Sequence, residues 1–499
     1  MSPLIRQALL VALITFGAAL ALRLPGVDLR APWLDEIYSQ FAISRDWYGL
    51  AADRISRGHS PLYFALMKAL GIEGGNVVLM RTASVVFDAA GAAVLAGGLA
   101  KYVSTRAGLF FGLLYAASPL AIHWSQNARP YGLLMLFLGI GIAGALGLFA
   151  TLGQGAAADG PRLRRPMRLF GWGFSLASLT MTAGIFAFVT LAALPFALPR
   201  SRNDAAFRAR WRRAVKVPAI VSVLGYFAFS GPHIARQAEE GYWADKYNTL
   251  GLEGLVNLWN QVVFDGGLAA VIGPSGTLAT TVTWVVSAAL LLFALAGALA
   301  CRDRPALLAP VLLLAGYVAL LLCVSIWTSV LVPRYFLPAL FCLLALAGSG
   351  MARLGNRAWS WFAILPLLAL LASLGAAQSR LPGTPPDRSL EPVARIIART
   401  PPENLRLLYE KEDDSRNRLI SELFPLRYDR PDLGRPEMSS YRPDRLADAM
   451  AEGRDIFAYM TVPGLDAALA SGAPPPACVH DFGDWALAYW GNDTAACAR

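Results

Sequence analysis

Residues 124–152 read WSQNARPYGLLMLFLGIGIAGALGLFATL. No residue in 131–152 carries a charge, and about 20 consecutive apolar residues suffice to cross a bilayer. The guanidinium of Arg129 stands at the edge of this run, where a hydrophobic span meets polar headgroups. Comparable runs centre on 7–24, 78–101, 107–123, 169–183, 184–199, 217–232, 279–300, 306–328, 335–352 and 358–377, which with 131–152 makes eleven. Dividing 169–199 into two spans rests on residues 180–184 (TMTAG) acting as a turn, and a single long span there would invert everything downstream. Composition agrees: 56% of the 499 residues are hydrophobic and 16% charged, against about 25% charged in a soluble domain. Mean hydropathy is +0.47. The predicted fold class is mainly α, a polytopic membrane helical bundle of about eleven spans with a small C-terminal α/β domain outside the cytoplasm.

The distribution of basic residues tests the count, because cytoplasmic loops are enriched in Lys and Arg. With eleven spans and a cytoplasmic N-terminus, the cytoplasmic loops are 102–106, 153–168, 200–216, 301–305 and 353–357. They hold Arg106, Arg162, Arg164, Arg165, Arg168, Arg200, Arg202, Arg208, Arg210, Arg212, Arg213, Lys216, Arg302, Arg304, Arg353 and Arg357. The opposite loops, 25–77 and 233–278, are longer and more acidic. A ten-span count would put the last two basic clusters outside. The apolar N-terminus is long for a signal peptide and reads as an uncleaved first span. The net charge of +10 is then a topology signal, and no motif or basic face supports nucleic-acid binding.

From about residue 378 the composition turns to Pro, Arg, Asp and Glu. Short apolar runs at 405–410, 455–462 and 486–490 alternate with helix-like stretches at 388–399, 415–423 and 443–452. The predicted domains are thus a membrane domain, 1–377, and a soluble α/β domain, 378–499. Of five cysteines, no pair has zinc-ligand spacing, and Cys478 and Cys497 could pair in an oxidising compartment.

The candidate chemistry lies in the outer loops. Asp35 and Glu36 stand side by side after the first span, flanked by Trp33 and Tyr38. Such a pair could take a proton from a hydroxyl or bind a divalent metal ion, the one cofactor left open, with none certain. His59 and Tyr63 follow in GHSPLY, where Pro61 could start a surface helix reaching Leu70. Arg129 and Tyr131 flank the quoted span, and Arg334 and Tyr335 occupy VPRYFLP. Outward arginines at bilayer depth suit phosphate, which a guanidinium grips with two parallel hydrogen bonds. The loop 233–278 adds His233, Arg236, Glu239, Glu240, Tyr242, Trp243, Asp245, Lys246 and Tyr247. Each feature alone has a plainer reading, as a solvated loop, an aromatic belt or an arginine snorkelling to ordinary headgroups. Together they suit group transfer from a lipid phosphate to a hydroxyl. No P-loop, GxGxxG or Ser/His/Asp signature is present.

An acidic pair after the first span, His-x-Pro-Leu-Tyr, Ser-Gln-x-Ala-Arg-Pro-Tyr and a late Arg-Tyr-x-x-Pro resemble, in that order, the GT-C membrane glycosyltransferases. The likeness is greatest to the bacterial branch related to protein O-mannosyltransferases and to lipid A aminoarabinose and galacturonic acid transferases. It spans roughly residues 1–375. It implies a bacterial inner-membrane enzyme that takes a sugar from a polyprenyl-phosphate carrier and inverts the anomeric centre. Its C-terminal domain would be periplasmic. Asp35 then resembles the general base and Glu36 its partner. His59, Tyr63, Arg129, Tyr131, Lys246, Arg334 and Tyr335 become substrate or lipid-phosphate ligands. Ser60 replaces a proline of the family pattern, and Asn127 stands where many relatives carry Glu. The implied partners are the lipid-linked donor, a lipid, glycan or protein acceptor, and membrane lipids. The rival expectations are a transporter or flippase, for which Asp88 is the main candidate for a buried charge, and a non-catalytic scaffold for envelope polysaccharide assembly.

Overall fold

The computed structural model describes residues 2–28, 34–72, 76–153, 161–192, 204–229, 250–264, 277–327, 330–354, 366–373, 405–410, 437–481 and 485–491. The chain divides into two compact units. The first comprises Met1–Leu29, Arg45–Ile72 and Val78–Gly383, the second Arg30–Ser44, Glu73–Val77 and Thr384–Arg499. The sequence placed a boundary at 377/378 and kept 30–44 with the membrane part. The units instead divide at 383/384 and set 30–44 with the tail.

The helices of the chain begin with α1 (Pro3–Arg23), α2 (Leu34–Ser44), α3 (Trp47–Ser56), α4 (Leu62–Ala69) and α5 (Val77–Tyr102). They continue with α6 (Thr105–Ala116), α7 (Pro119–Ser125), α8 (Tyr131–Gly153), α9 (Arg164–Thr180) and α10 (Thr182–Ala192). Then come α11 (Ala205–Phe229), α12 (Leu252–Phe264), α13 (Thr277–Leu299), α14 (Leu308–Val324) and α15 (Leu337–Leu354). Among the described residues six helices are long and apolar enough to cross a bilayer, seven if α6 and α7, bent by 64°, form one span. The bend falls at Ser118-Pro119, where proline cannot continue the hydrogen-bond ladder. α9 and α10 are separate helices. Met181 between them is extended (φ −158°, ψ 148°), which is the turn the sequence placed at 180–184. Parts of the remaining expected spans lie outside the described residues.

Small residues bring these helices into backbone contact, as in membrane bundles generally. A Cβ added at Gly139 of α8 would lie 2.4 Å from the carbonyl oxygen of Gly91 in α5, and one at Gly132 would lie 2.1 Å from that of Ser84. The helix ends sort into two poles. At one, the Thr105 hydroxyl meets Gln7 (3.2 Å), and Asp303 pairs with Arg353 (3.3 Å). Gly153 abuts Pro305 there, and Trp211 packs on Phe170. The basic clusters around 102–106, 164–168, 208–216, 302–305 and 353 therefore share one pole. At the other, Arg81 Nη1 donates to the Val27 carbonyl (2.9 Å), and Ser60 Oγ donates to the Leu179 carbonyl.

Asp88 is not available for transport. Its carboxylate accepts from Arg23 Nε (2.8 Å) and from the Tyr115 hydroxyl (2.7 Å). The rest of the Arg23 fork donates to the Ala116 (3.0 Å) and Tyr115 (3.1 Å) carbonyls. Arg23 is 0% exposed and Asp88 2%, so the pair joins α1, α5 and α6 away from water. The transporter expectation loses its main residue.

In the second unit, β1 (Leu405–Tyr409), β2 (Glu437–Ser440), β3 (Asp455–Thr461), β4 (Cys478–Asp481) and β5 (Trp485–Trp490) form one sheet in the order β2-β1-β3-β5-β4. β1 runs parallel to β2 and β3, with Leu407 opposite Phe457, and β5 is antiparallel to β3 and β4. Alternate residues Ile456, Ala458, Met460, Ala486, Ala488 and Trp490 pack with Leu446 of α16 (Pro443–Ala451) and Leu465 of α17 (Val462–Ala470). Cys478 is disulfide-bonded. Its expected partner Cys497 and the stretches 388–399 and 415–423 lie outside the described residues.

Removing one member of a buried ion pair strands the other charge, at a cost of about 3–5 kcal/mol. Asp88→Asn is accordingly expected to lower the thermal unfolding midpoint of the purified protein sharply. A midpoint equal to wild type would show that the Arg23 contact carries no stability.

Candidate functional site

Two stretches far apart in the chain meet at the pole opposite the basic loops. α7 ends at Ser125, and the turn 126–130 leads into α8. This turn is held by its own side chains. Asn127 Nδ2 donates to the His123 carbonyl (2.6 Å), and Gln126 Nε2 donates to the carbonyls of Arg23 (2.6 Å) and Pro25 (2.9 Å). The Arg129 side chain that it presents is largely buried. Arg334 lies in a 3₁₀ turn, Pro333–Phe336, ahead of α15. Its guanidinium sits over the Trp124 ring (5.7 Å) and the Tyr335 ring (5.5 Å). Trp124 in turn packs edge-on against Tyr131, with ring centroids 4.8 Å apart. Tyr317 fixes the late motif by donating its hydroxyl to the Tyr335 carbonyl (2.8 Å). The structure thus brings Tyr131, Arg334 and Tyr335 together around Trp124, with Arg129 in the adjoining turn 126–130.

The segment containing His59 joins the same pole. α3 closes in a Schellman motif: His59 N donates to the Arg54 carbonyl (2.8 Å) and Gly58 N to the Ile55 carbonyl (3.0 Å). Gly58 has φ +71°, a conformation that costs a residue with a Cβ. α4 then starts just after Pro61, as its missing N–H allows. His59 is exposed. Tyr63 is not: its ring is fully buried, and its hydroxyl bonds Ser84 Oγ (2.9 Å), which also reaches the Arg129 carbonyl (3.4 Å). This corrects the expectation for Tyr63, which braces the Arg129 turn rather than facing a substrate. The cause is α4, whose buried face carries Tyr63, Phe64 and Met67.

Asp35 and Glu36 occupy the first turn of α2, which belongs to the second unit. Along α2, Glu36, Ser39, Gln40 and Ile43 form a buried stripe, while Asp35 is only partly buried. Lys246 and the neighbouring loop residues 230–249 lie outside the described residues. Part of the segment read as a loop is instead helix α12, whose buried residues Gly254, Leu258 and Val262 recur every four positions. Among the described residues no three His, Cys, Asp or Glu side chains gather in a metal-binding arrangement.

A group that the sequence reading passed over lies in α3. The Asp53 carboxylate accepts from Arg54 Nε (2.9 Å) and Nη2, and it also pairs with Arg57 (3.4 Å) and Arg45 (3.6 Å). Arg54 is buried, with its guanidinium 4.8 Å from the centre of the Phe64 ring. Burial alone would raise the Asp53 carboxyl, but the Arg54 hydrogen bond and the charges of Arg54, Arg57 and Arg45 hold it below its ordinary value. Burial pushes Arg54 down to about 10 against the pull of Asp53, and the charges of Arg129 and Arg57 push the same way. Arg54 and Arg129 therefore lie within electrostatic reach of each other. The one sequence signal was Asp53/Arg57 at helical i,i+4 spacing.

The architecture matches solved structures. ArnT from Cupriavidus metallidurans bound to undecaprenyl phosphate aligns with a TM-score of 0.60 at 16% identity, over 96% of this chain and 99% of that one. The archaeal oligosaccharyltransferase AglB from Archaeoglobus fulgidus, in complex with an inhibitory peptide and a dolichol-phosphate, aligns with a TM-score of 0.52 at 14% identity. That alignment covers 93% of this chain and 70% of that one. No protein-family model and no curated protein matches the sequence. The chain has the GT-C fold and is a multi-pass membrane protein.

Asp53→Asn is expected to loosen the α3–α4 turn. Backbone hydrogen exchange across 57–63 should rise while α8 stays protected, and equal exchange in both proteins would remove Asp53 from that role. Because the folded Asp53 carboxyl titrates lower than the free one, its contribution is complete above pH 3.8 and is lost only as pH falls through the lowered value. The turn should accordingly hold at pH 5.

Proposed function

We propose that the chain is an inverting glycosyltransferase. It moves a sugar from a polyprenyl-phosphate carrier to a hydroxyl of a lipid, glycan or protein, at the periplasmic face of a bacterial inner membrane. The observation that carries this reading is the meeting of the late Arg334 turn with Trp124 and Tyr131, which flank the turn carrying the largely buried Arg129, at the pole opposite the basic loops within a GT-C fold. Two guanidiniums at the edge of an apolar bundle suit a ligand with a phosphate head and a hydrocarbon tail. The ArnT structure that aligns with the chain has undecaprenyl phosphate bound. The gathering of basic loops at one pole supports a cytoplasmic placement for it under the positive-inside rule. A disulfide at Cys478 fits an oxidising compartment for the tail.

The reaction is one displacement. The acceptor oxygen bonds to the anomeric carbon as the bond from that carbon to the phosphate oxygen breaks. The hydroxyl proton passes to the Asp35 carboxylate. The electron pair leaves with the polyprenyl phosphate, whose growing charge Arg129 and Arg334 stabilise. Asp35 is partly exposed and Glu36 buried, and on the sequence resemblance Asp35 is the base and Glu36 its partner. His59, exposed at the end of the Schellman turn, is a further donor to the phosphate. Lys246 stays in the reading as a phosphate ligand on the sequence resemblance alone.

General-base assistance contributes about 10²–10⁴-fold. Transfer by Asp35→Asn is expected to fall by about that factor, with insertion and unfolding midpoint unchanged. Wild-type turnover in that variant would remove Asp35 from the chemistry. Mass spectrometry of lipid co-purified with Asp35→Asn is expected to show a polyprenyl monophosphate sugar, and a diphosphate-linked glycan in its place would point to a ligase or polymerase.

A further inference from the structure

The basic pole contains a cavity that the proposed reaction does not use. It has a volume of about 430 Å³. Leu4 of α1, the end of α5, the Ser104-Thr105 start of α6, Ala150 of α8 and Arg304 line it. Its walls are of two kinds. Leu4, Ala100, Val103 and Ala150 are apolar, and Leu9, Leu10 and Leu13 further along the same helix are exposed. Facing them are Lys101, Arg304 and the hydroxyls of Tyr102 and Thr105.

Among the described residues no carboxylate neutralises either cation. Lys101 lies over the Tyr102 ring (4.9 Å), with no carboxylate among the described residues in salt-bridge range. Arg304 likewise has none, because Asp303 pairs with Arg353. The N-terminal end of α6 opens beside them. Ser104 Oγ caps the Ala107 N–H (3.1 Å), and the partial positive charge of the first turn adds to the field. Two cations with no carboxylate in range among the described residues, a helix start and an apolar wall on a helix with exposed leucines match one kind of ligand: a phosphate headgroup with acyl chains attached. Basic pockets between membrane helices on the cytoplasmic side suit such headgroups.

We infer that this cavity, lined by Lys101, Arg304 and the start of α6, binds the headgroup of an anionic phospholipid from the leaflet at the basic pole. The acyl chains lie along α1. The bound lipid ties α1 to the α5–α6 turn, which otherwise meet at this end through the Gln7–Thr105 hydrogen bond. The site is separate from the donor chemistry at the other pole, and the inference stands whether or not the chain transfers sugars.

The test is native mass spectrometry of the delipidated full chain, titrated with phosphatidylglycerol or phosphatidylcholine of the same acyl chains. The first phosphatidylglycerol is expected to bind more tightly than the first phosphatidylcholine. The Lys101→Gln/Arg304→Gln protein should bind it about tenfold more weakly, since each cation near a headgroup strengthens attraction. The charge-matched control Arg212→Gln/Arg213→Gln, which changes exposed residues of the same pole outside the cavity, should bind as wild type. Equal affinity for the two lipids, or equal loss in the control, would overturn the site. Adding inorganic phosphate at millimolar concentration should leave the adduct in place. Displacement by it would show a free-phosphate site instead and would also overturn the lipid reading.

Discussion

The ion pair between Arg23 and Asp88 is the constraint on which the polar end of this bundle depends. A lone guanidinium or carboxylate in an apolar interior carries a desolvation cost of several kcal/mol, so each must find its partner before α1 and α5 can pack. Once paired, Arg23 uses the rest of its fork on the last carbonyls of α6, which have no partner within their own helix. This fixes where α6 ends and where the chain bends into α7. The Gln126 amide then closes on the carbonyls of Arg23 and Pro25, so the turn 126–130 is set by the same junction. The bundle is thereby specified at its centre, and the turn carrying Arg129 inherits that precision.

Arg334 reaches this place by another route. It belongs to a short 3₁₀ turn late in the chain, and its contact is aromatic: it lies against Trp124, the residue next to the end of α7. Trp124 packs on Tyr131 with one side of its ring and meets the Arg334 guanidinium with another. Asp53 occupies Arg54, Arg57 and Arg45, and with Gly58 it organises the turn that presents His59.

Much of this was legible in the sequence because the determinants are local. Apolar runs gave the six long apolar helices among the described residues to within a few residues, and the break before Gly184 followed from a run of small and β-branched residues. The strands at 405–409, 455–461 and 485–490 were visible as short apolar runs, whereas 437–440 (EMSS) and 478–481 (CVHD) were not. Those two are edge strands, paired on one side only, and their sequences need no apolar alternation. The Asp53 group was missed because it exists only after α3 folds and the chain from Arg45 to Arg57 converges on one carboxylate. Tyr63 was read as a ligand because its motif is polar at one end, yet the amphipathic face of α4 turns it inward. The amphipathic helix α12 was hidden inside a segment whose charged first half suggested a loop. That α2 belongs with the tail could not be read at all, since it depends on contacts far apart in the chain.

The account rests on two guanidiniums acting on a single phosphate, and a double-mutant cycle on lipid affinity tests that most directly. The dissociation constant of a polyprenyl monophosphate, the proposed leaving group, would be measured for wild type, Arg129→Gln, Arg334→Gln and the double variant. If both grip the same phosphate, each single change weakens binding by about tenfold or more, as expected for a lost charge-assisted hydrogen bond, and the double variant loses less than the two combined. Wild-type affinity in either single variant, or losses that combine independently, would contradict a shared phosphate site.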